Sequence, residues 1–340
     1  MRETLTILWD SLKLLRARKL FWIVMGISLF IALLYASVGF DRSGFSAGFG
    51  LYKYENPILV KGSEEAKIFY LLLFTNFITP YWLGFLAVLL ALVTSCSVFP
   101  ELMREGSVET VLSKPVSRWK IILVKYLGML GFMAIPLTLF CLIVFLALGL
   151  RVGVWKIEVF LAVPVLTFVY STIYSLAVFV GVLTRSTLFA LLSAMLLWGT
   201  CYVVHAGEWF AYTLIIQSAE LGVEGNYETG ETIQHEEPIE PPEGGRKFYD
   251  VYRKVTSPLP KPRKTTLLLD RLIVFNEELG PLAGKSLLGL LSGSGESGLG
   301  IKAQDNMRER YTFAEALVPS AIFQLVCLGL AGWKFSRRDF

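Results

Sequence analysis

Charge is scarce in this chain. Asp, Glu, Lys and Arg make up 18% of the 340 residues while 54% are hydrophobic, and the mean hydropathy is +0.57. A soluble globular chain carries about a quarter charged residues, so the composition is that of a membrane protein. The net charge of +4 is small and the basic residues are spread over termini and loops, which excludes a nucleic-acid-binding surface. Cysteine is sparse as well. Cys96, Cys141, Cys201 and Cys327 all fall inside apolar runs, where they pack as small hydrophobes rather than build a disulfide framework. The two histidines, His205 and His235, share no helical face and have no cysteine pair beside them, which leaves no zinc-ligand pattern.

Nucleotide chemistry is missing too. Gly280-Pro-Leu-Ala-Gly-Lys-Ser286 is one residue short of a phosphate-binding loop, and Gly293-Ser-Gly-Glu-Ser-Gly298 has the letters of a dinucleotide fingerprint with no strand before it. No convergent acid, base or metal groups mark an intramembrane hydrolase or transferase. Ionisable residues are nearly absent from the apolar runs, which argues against a proton relay or an ion-coupled carrier. Energy for any transport must come from outside this chain, and no cofactor is expected within it.

What is there is a set of runs long enough to cross a hydrocarbon core of about 30 Å, which takes roughly 20 apolar residues per helix. They are residues Leu20 to Phe40, Pro80 to Phe99, Tyr126 to Leu148, Glu158 to Leu183, Thr187 to His205 and Ala316 to Trp333. In lipid each must be helical, because its backbone has no other hydrogen-bond partner. The expected fold is an all-α integral membrane protein with six transmembrane helices. Tyr70 to Thr79 is apolar as well, so Pro80 either kinks one long second helix or opens a separate one. Residues 1–19 carry Leu5, Leu8, Trp9, Leu12 and Leu15 at three- and four-residue spacing, the pattern of a helix lying in the membrane interface.

The short flanks fix the orientation. About fourteen lysines and arginines lie on the N-terminus, the link after span two, Arg185 and the C-terminal tail, against about six in the opposite short loops. By the positive-inside rule both termini face the cytoplasm of a cell membrane, plasma or inner. Residues 20–206 then hold spans one to five, residues 207–315 form a large extracytoplasmic loop or subdomain, and residues 316–340 form span six with a basic tail. Within the outer segment the acidic, proline-bearing first part reads as loop or short strand. Thr266 to Leu279 reads as a helix packed on the outer membrane surface.

The link between spans two and three, residues 100–116, is the most informative segment. Glu101, Glu105 and Glu109 recur every fourth residue, placing three carboxylates on one helical face with only Arg104 as local relief. A repulsive stripe of that kind suits a cationic partner surface. Pro115 ends the helix, and Arg118, Lys120 and Lys125 return the chain to an anionic lipid surface. In span four, Thr167, Tyr170, Ser171, Tyr174 and Ser175 form a mildly polar stripe. It reads either as the lining of a substrate path or as small polar contacts between helices.

Gly106-Ser-Val-Glu109, Leu112-Ser-Lys-Pro-Val-Ser-Arg118 and Lys125-Tyr-Leu-Gly128, in that order between spans two and three, resemble the signature of ABC-2 type permeases. The turn Leu183-Thr-Arg-Ser186 and the tail Trp333-Lys-Phe-Ser-Arg-Arg-Asp-Phe340 are similar to that family's as well. The resemblance implies that the link is a coupling helix seated in a groove of a separate ATP-binding cassette ATPase subunit, which would hold the ATP and Mg. It implies contact through Glu101, Arg104, Glu105, Gly106, Glu109, Leu112, Pro115 and Arg118. Gly106 would admit close backbone approach, Glu109 a charge-assisted bond and Leu112 apolar burial. It further implies pairing with a second copy or a related permease, and export. The rival reading is a membrane anchor or sensor whose outer segment binds a ligand or partner.

Overall fold

The computed structural model describes residues 19–56, 58–103, 117–220, 223–225, 232–234, 239–273 and 312–337. Helix dominates. Among the described residues, five helices are long and apolar enough to cross a membrane: Glu64–Leu102, Arg118–Val152, Ile157–Thr184, Thr187–Gln217 and Phe313–Ser336. These overlap the second to sixth expected runs. The first run forms a shorter apolar helix, α1 (Lys19–Ser37).

The second crossing begins well before Pro80. Its first part, α2 (Glu64–Leu72), opens where Ser63 accepts a hydrogen bond from the Ala66 amide at 3.1 Å, with Glu64 and Glu65 in the first turn; an N-cap and two acids together stabilise a helix start. The ladder then widens to π geometry over Leu73–Ala87 before α3 (Val88–Ser95) and the short α4 (Val98–Leu102). Pro80 lies inside the π stretch, so the proline does not open a separate helix.

The third crossing, α5 (Arg118–Val152), stops at Gly153, whose φ of 76° supplies the left-handed cap. A 3₁₀ turn (Ile157–Leu161) leads into α6 (Ala162–Thr184). The fifth helix, α7 (Thr187–Ala211), runs on through a π turn to Gln217, past the end expected at His205. Then come α8 (Glu243–Thr256), α9 (Pro262–Ile273) and the last crossing, α10 (Phe313–Ser336).

The mostly helical structure is that of an all-α membrane protein, with two local departures from expectation. Residues 39–55 form a three-stranded antiparallel sheet of β1 (Gly39–Asp41), β2 (Gly44–Ala47) and β3 (Tyr52–Glu55), pairing Phe40 with Phe45 and Phe45 with Tyr54. The first run therefore leaves helix at Ser37 rather than Phe40. Glycines at 39, 44, 48 and 50 weaken helix there, while alternating aromatics suit strand. In the acidic stretch after α7, β4 (Val223–Gly225) pairs with β5 (Thr232–Gln234), the short-strand form of that expectation. The second departure concerns α9. It packs between α6, α7, α10 and the π stretch, with Leu268, Leu269 and Ile273 buried, and the rest of the helix expected to Leu279 lies outside the described residues.

The bundle has two distinct ends. α1 and α5 run parallel, since the Phe21 ring meets Phe132 at 5.0 Å and Arg151 Nε donates to the Ala36 carbonyl at 3.2 Å. Tyr35 and Tyr70 exchange hydroxyl-to-carbonyl bonds of 3.0 and 2.9 Å, locking α1 to α2. α10 runs antiparallel to α5. One end of the bundle thus gathers Leu102, Arg118, Thr184 and Ser336; the other carries the three-stranded sheet, Gly153, α8 and the start of α9.

Candidate coupling end and polar seam

The link between the second and third crossings is held at both ends. At the near end, Phe99, Pro100, Leu102 and Met103 are buried. Pro100 falls in the first turn of α4, where its missing N–H costs nothing. Its ring lies against α6, so close that a Cβ on Gly181 would stand 3.3 Å from Pro100 Cδ. The Phe99 ring also reaches α6, 6.3 Å from Tyr174. Glu101 is half-buried beside them.

At the far end, Arg118 Nη1 donates to the Ser336 carbonyl at 3.1 Å, a cation on the carbonyl-rich end of α10. Trp119 lies flat on Gly332, where any Cβ would overlap its ring, and Arg337 stands 4.7 Å from the Trp333 ring centroid. The link is thus in contact with α6 at one end and with α10 at the other. Arg104, Glu105, Gly106, Glu109, Leu112 and Pro115 lie outside the described residues.

The polar stripe of span four is brought together with residues the sequence reading passed over. Tyr126 donates to the Ser171 carbonyl at 2.9 Å, Gln324 Nε2 donates to Tyr126 Oη at 2.9 Å, and Ser171 Oγ donates to Gln324 Oε1 at 3.1 Å. Tyr170 donates to Ser95 Oγ at 2.7 Å, Tyr174 to the Ser95 carbonyl at 3.3 Å, and Ser175 to the Thr172 carbonyl at 2.7 Å. The three tyrosine rings stack, Tyr126 on Tyr174 at 5.8 Å and Tyr170 on Tyr174 at 5.2 Å. The result is a dry seam that joins α3, α5, α6 and α10. Thr167 stands apart from it, half-buried, with no hydrogen-bond partner for Oγ1 among the described residues. Gln324 is the sole amide side chain of the last apolar run, which was the one available signal for this contact.

A family model of ABC-2 family transporter proteins matches residues 6–220. The chain belongs to the ABC-2 transporter family. It is a membrane permease of the ABC-transporter class. No curated protein and no solved structure matches the chain.

The matched stretch of this ABC-2 permease ends at residue 220, and its last turns take part in a charged cluster. Because α7 continues past His205, Glu208 lies on the same helix as the fifth apolar run, one turn beyond the end of that run. Glu208 Oε1 meets Lys264 Nζ of α9 at 2.6 Å, both side chains almost fully buried. Burial pushes the Lys264 ammonium down to about 8, against the opposing pull of Glu208. Beside them, Arg253 of α8 and Glu315 of α10 pair at 2.6 Å on the surface. His205 Nδ1 is buried with no hydrogen-bond partner among the described residues. Residues 208 and 264 are far apart in sequence and separated by a polar segment, so periodicity carried no hint of their meeting.

Proposed function

We propose that this ABC-2 permease is the membrane half of an exporter driven through its connector by a separate ATP-hydrolysing subunit. In this reading α1 and the five longer helices form six spans in the cell membrane. Both termini are cytoplasmic, residues 1–19 lie in the interface and residues 207–315 face outside. The connector, residues 100–116, is the coupling helix. It offers Glu101, Glu105 and Glu109 to a cationic groove on the partner, which holds ATP and Mg. A second copy, or a related permease, completes the translocation path.

The observation that carries this reading is the double anchoring of the connector, Pro100 on Gly181 and Arg118 on Ser336. A segment tied at its two ends to two different helices passes a push from a soluble motor to both of them together, a rigid-body mechanism. The closed tyrosine seam fits the same picture, because α3, α5, α6 and α10 then move as one block.

The test is reconstitution with a soluble ATPase encoded beside the permease. Copurification of the pair and stimulation of ATP hydrolysis by the permease are expected. Glu109→Lys should reduce the stimulated rate about tenfold, equivalent to about 1.4 kcal/mol of lost contact, with membrane insertion unchanged. Stimulation equal to the unaltered protein would defeat the coupling assignment.

A further inference from the structure

At the bundle end opposite the connector, two shallow clefts share one side chain. The first is a groove walled by Phe85, Val169, Trp198 and Tyr202, with the Phe85 ring tilted against Trp198 at 4.8 Å between centroids. The second is polar and lined by His205, Glu208, Lys261 and Lys264. Arg263 lines both, its guanidinium carbon 5.4 Å from the Tyr202 ring centroid. Close packing builds the junction. A Cβ on Gly84 would stand 3.2 Å from Thr266 Cγ2, so any larger residue would push α9 away from the π stretch by a few tenths of an ångström.

The polar cleft carries more positive than negative charge. Its single carboxylate, Glu208, is engaged by Lys264. The side chains of Lys261 and Arg263 have no carboxylate partner among the described residues. His205 adds a buried ring nitrogen without a hydrogen-bond partner among those residues. Dry polar atoms and uncommitted cations cost free energy unless something meets them.

Height in the membrane indicates what meets them. Thr187, at the connector end, and His205 are separated by about 27 Å along the helix, close to the roughly 30 Å thickness of the hydrocarbon core. The cations therefore sit at the headgroup level of the leaflet away from the connector, and the aromatic groove beside them sits at acyl-chain level. Tyr202 and Val203 are exposed there, so the groove opens sideways to lipid.

We propose that this junction binds an anionic membrane amphiphile. Its phosphate or carboxylate head is held by Arg263 and Lys261, and its apolar chain lies in the groove of Phe85, Trp198 and Tyr202. The site rests on the chain being a membrane protein and not on its coupling to an ATPase.

The test uses the full-length permease without any partner, purified in a zwitterionic detergent and examined by native mass spectrometry. The probes are dioleoyl phosphatidylglycerol, dioleoyl phosphatidylcholine and inorganic phosphate. Retention of phosphatidylglycerol about tenfold above phosphatidylcholine is expected, with no displacement by inorganic phosphate. Lys261→Gln and Arg263→Gln should each lose about threefold of that preference, and the double variant should abolish it. The charge-keeping Lys261→Arg with Arg263→Lys should retain it and so controls for folding. Equal retention of the two lipids, an unchanged preference in both single variants, or displacement by inorganic phosphate would each overturn the site. None of these results bears on the connector.

Discussion

The tyrosine seam and the Glu208–Lys264 cluster are both polar groups inside an apolar bundle, and they are built on opposite terms. The seam is neutral and closed on itself. Tyr126, Gln324 and Ser171 complete one another across three helices, and Tyr170 and Tyr174 both use Ser95. The cluster is charged and incompletely paired. One buried ion pair sits beside Lys261 and Arg263, for which the described residues supply no counter-charge, and beside His205, whose Nδ1 has no hydrogen-bond partner among them. A fully satisfied network behaves as a joint between helices, whereas a partly satisfied one at low dielectric is strained until a ligand completes it. The same chain thus uses polarity to hold its core together at one place and to receive something at another.

Removing one partner of the charged cluster should have the largest effect. Glu208→Ala strands the Lys264 ammonium in a dry site and should destabilise the protein by about 3–5 kcal/mol, read as a lower unfolding midpoint in detergent. Glu208→Gln combined with Lys264→Met should recover most of that loss. A double variant as unstable as Glu208→Ala would mean that packing, not stranded charge, sets the cost.

The seam should yield less, because its members are neutral. Gln324→Leu removes two bonds across the α5–α6–α10 junction and should cost about 1–2 kcal/mol. If its unfolding midpoint matched that of the unaltered protein, the seam would be incidental rather than a joint. The smallest effect is a protonic one that only the cluster shows. Lys264 is lowered from 10.5 to about 8 by folding, so between those values the unfolded chain binds the extra proton and stability rises with pH. The gain is about 1 kcal/mol between pH 8 and 9. Lys264→Met should flatten this slope, and Gln324→Leu should leave it intact.

Much of the architecture was legible from the residues. Five apolar runs appear as crossing helices because run length is a local property. The short strands of the acidic segment and the family membership shown by the match over residues 6–220 were within reach as well. The sheet at residues 39–55 was not anticipated, although four glycines among alternating aromatics announced a break in helix. Hydrophobicity alone does not separate the end of a span from the start of an apolar strand. Of the connector residues singled out, Glu101 and Arg118 are placed at its two anchored ends, and the intervening ones lie outside the described residues.

Sequence by itself determined that the chain crosses a membrane, roughly where it does so, and which segment carries the acidic stripe. Each of these depends on spacing and composition within a few turns, and bilayer thickness converts them directly into helices. Only the tertiary structure decided that Arg118 meets Ser336, that Gln324 closes on Tyr126, and that Lys264 returns to Glu208 beside an aromatic groove. Those pairings join residues dozens to hundreds of positions apart. Which polar groups meet inside the bundle is set by the packing of whole helices, where small residues such as Gly84, Gly181 and Gly332 permit close approach, and no local pattern encodes that outcome.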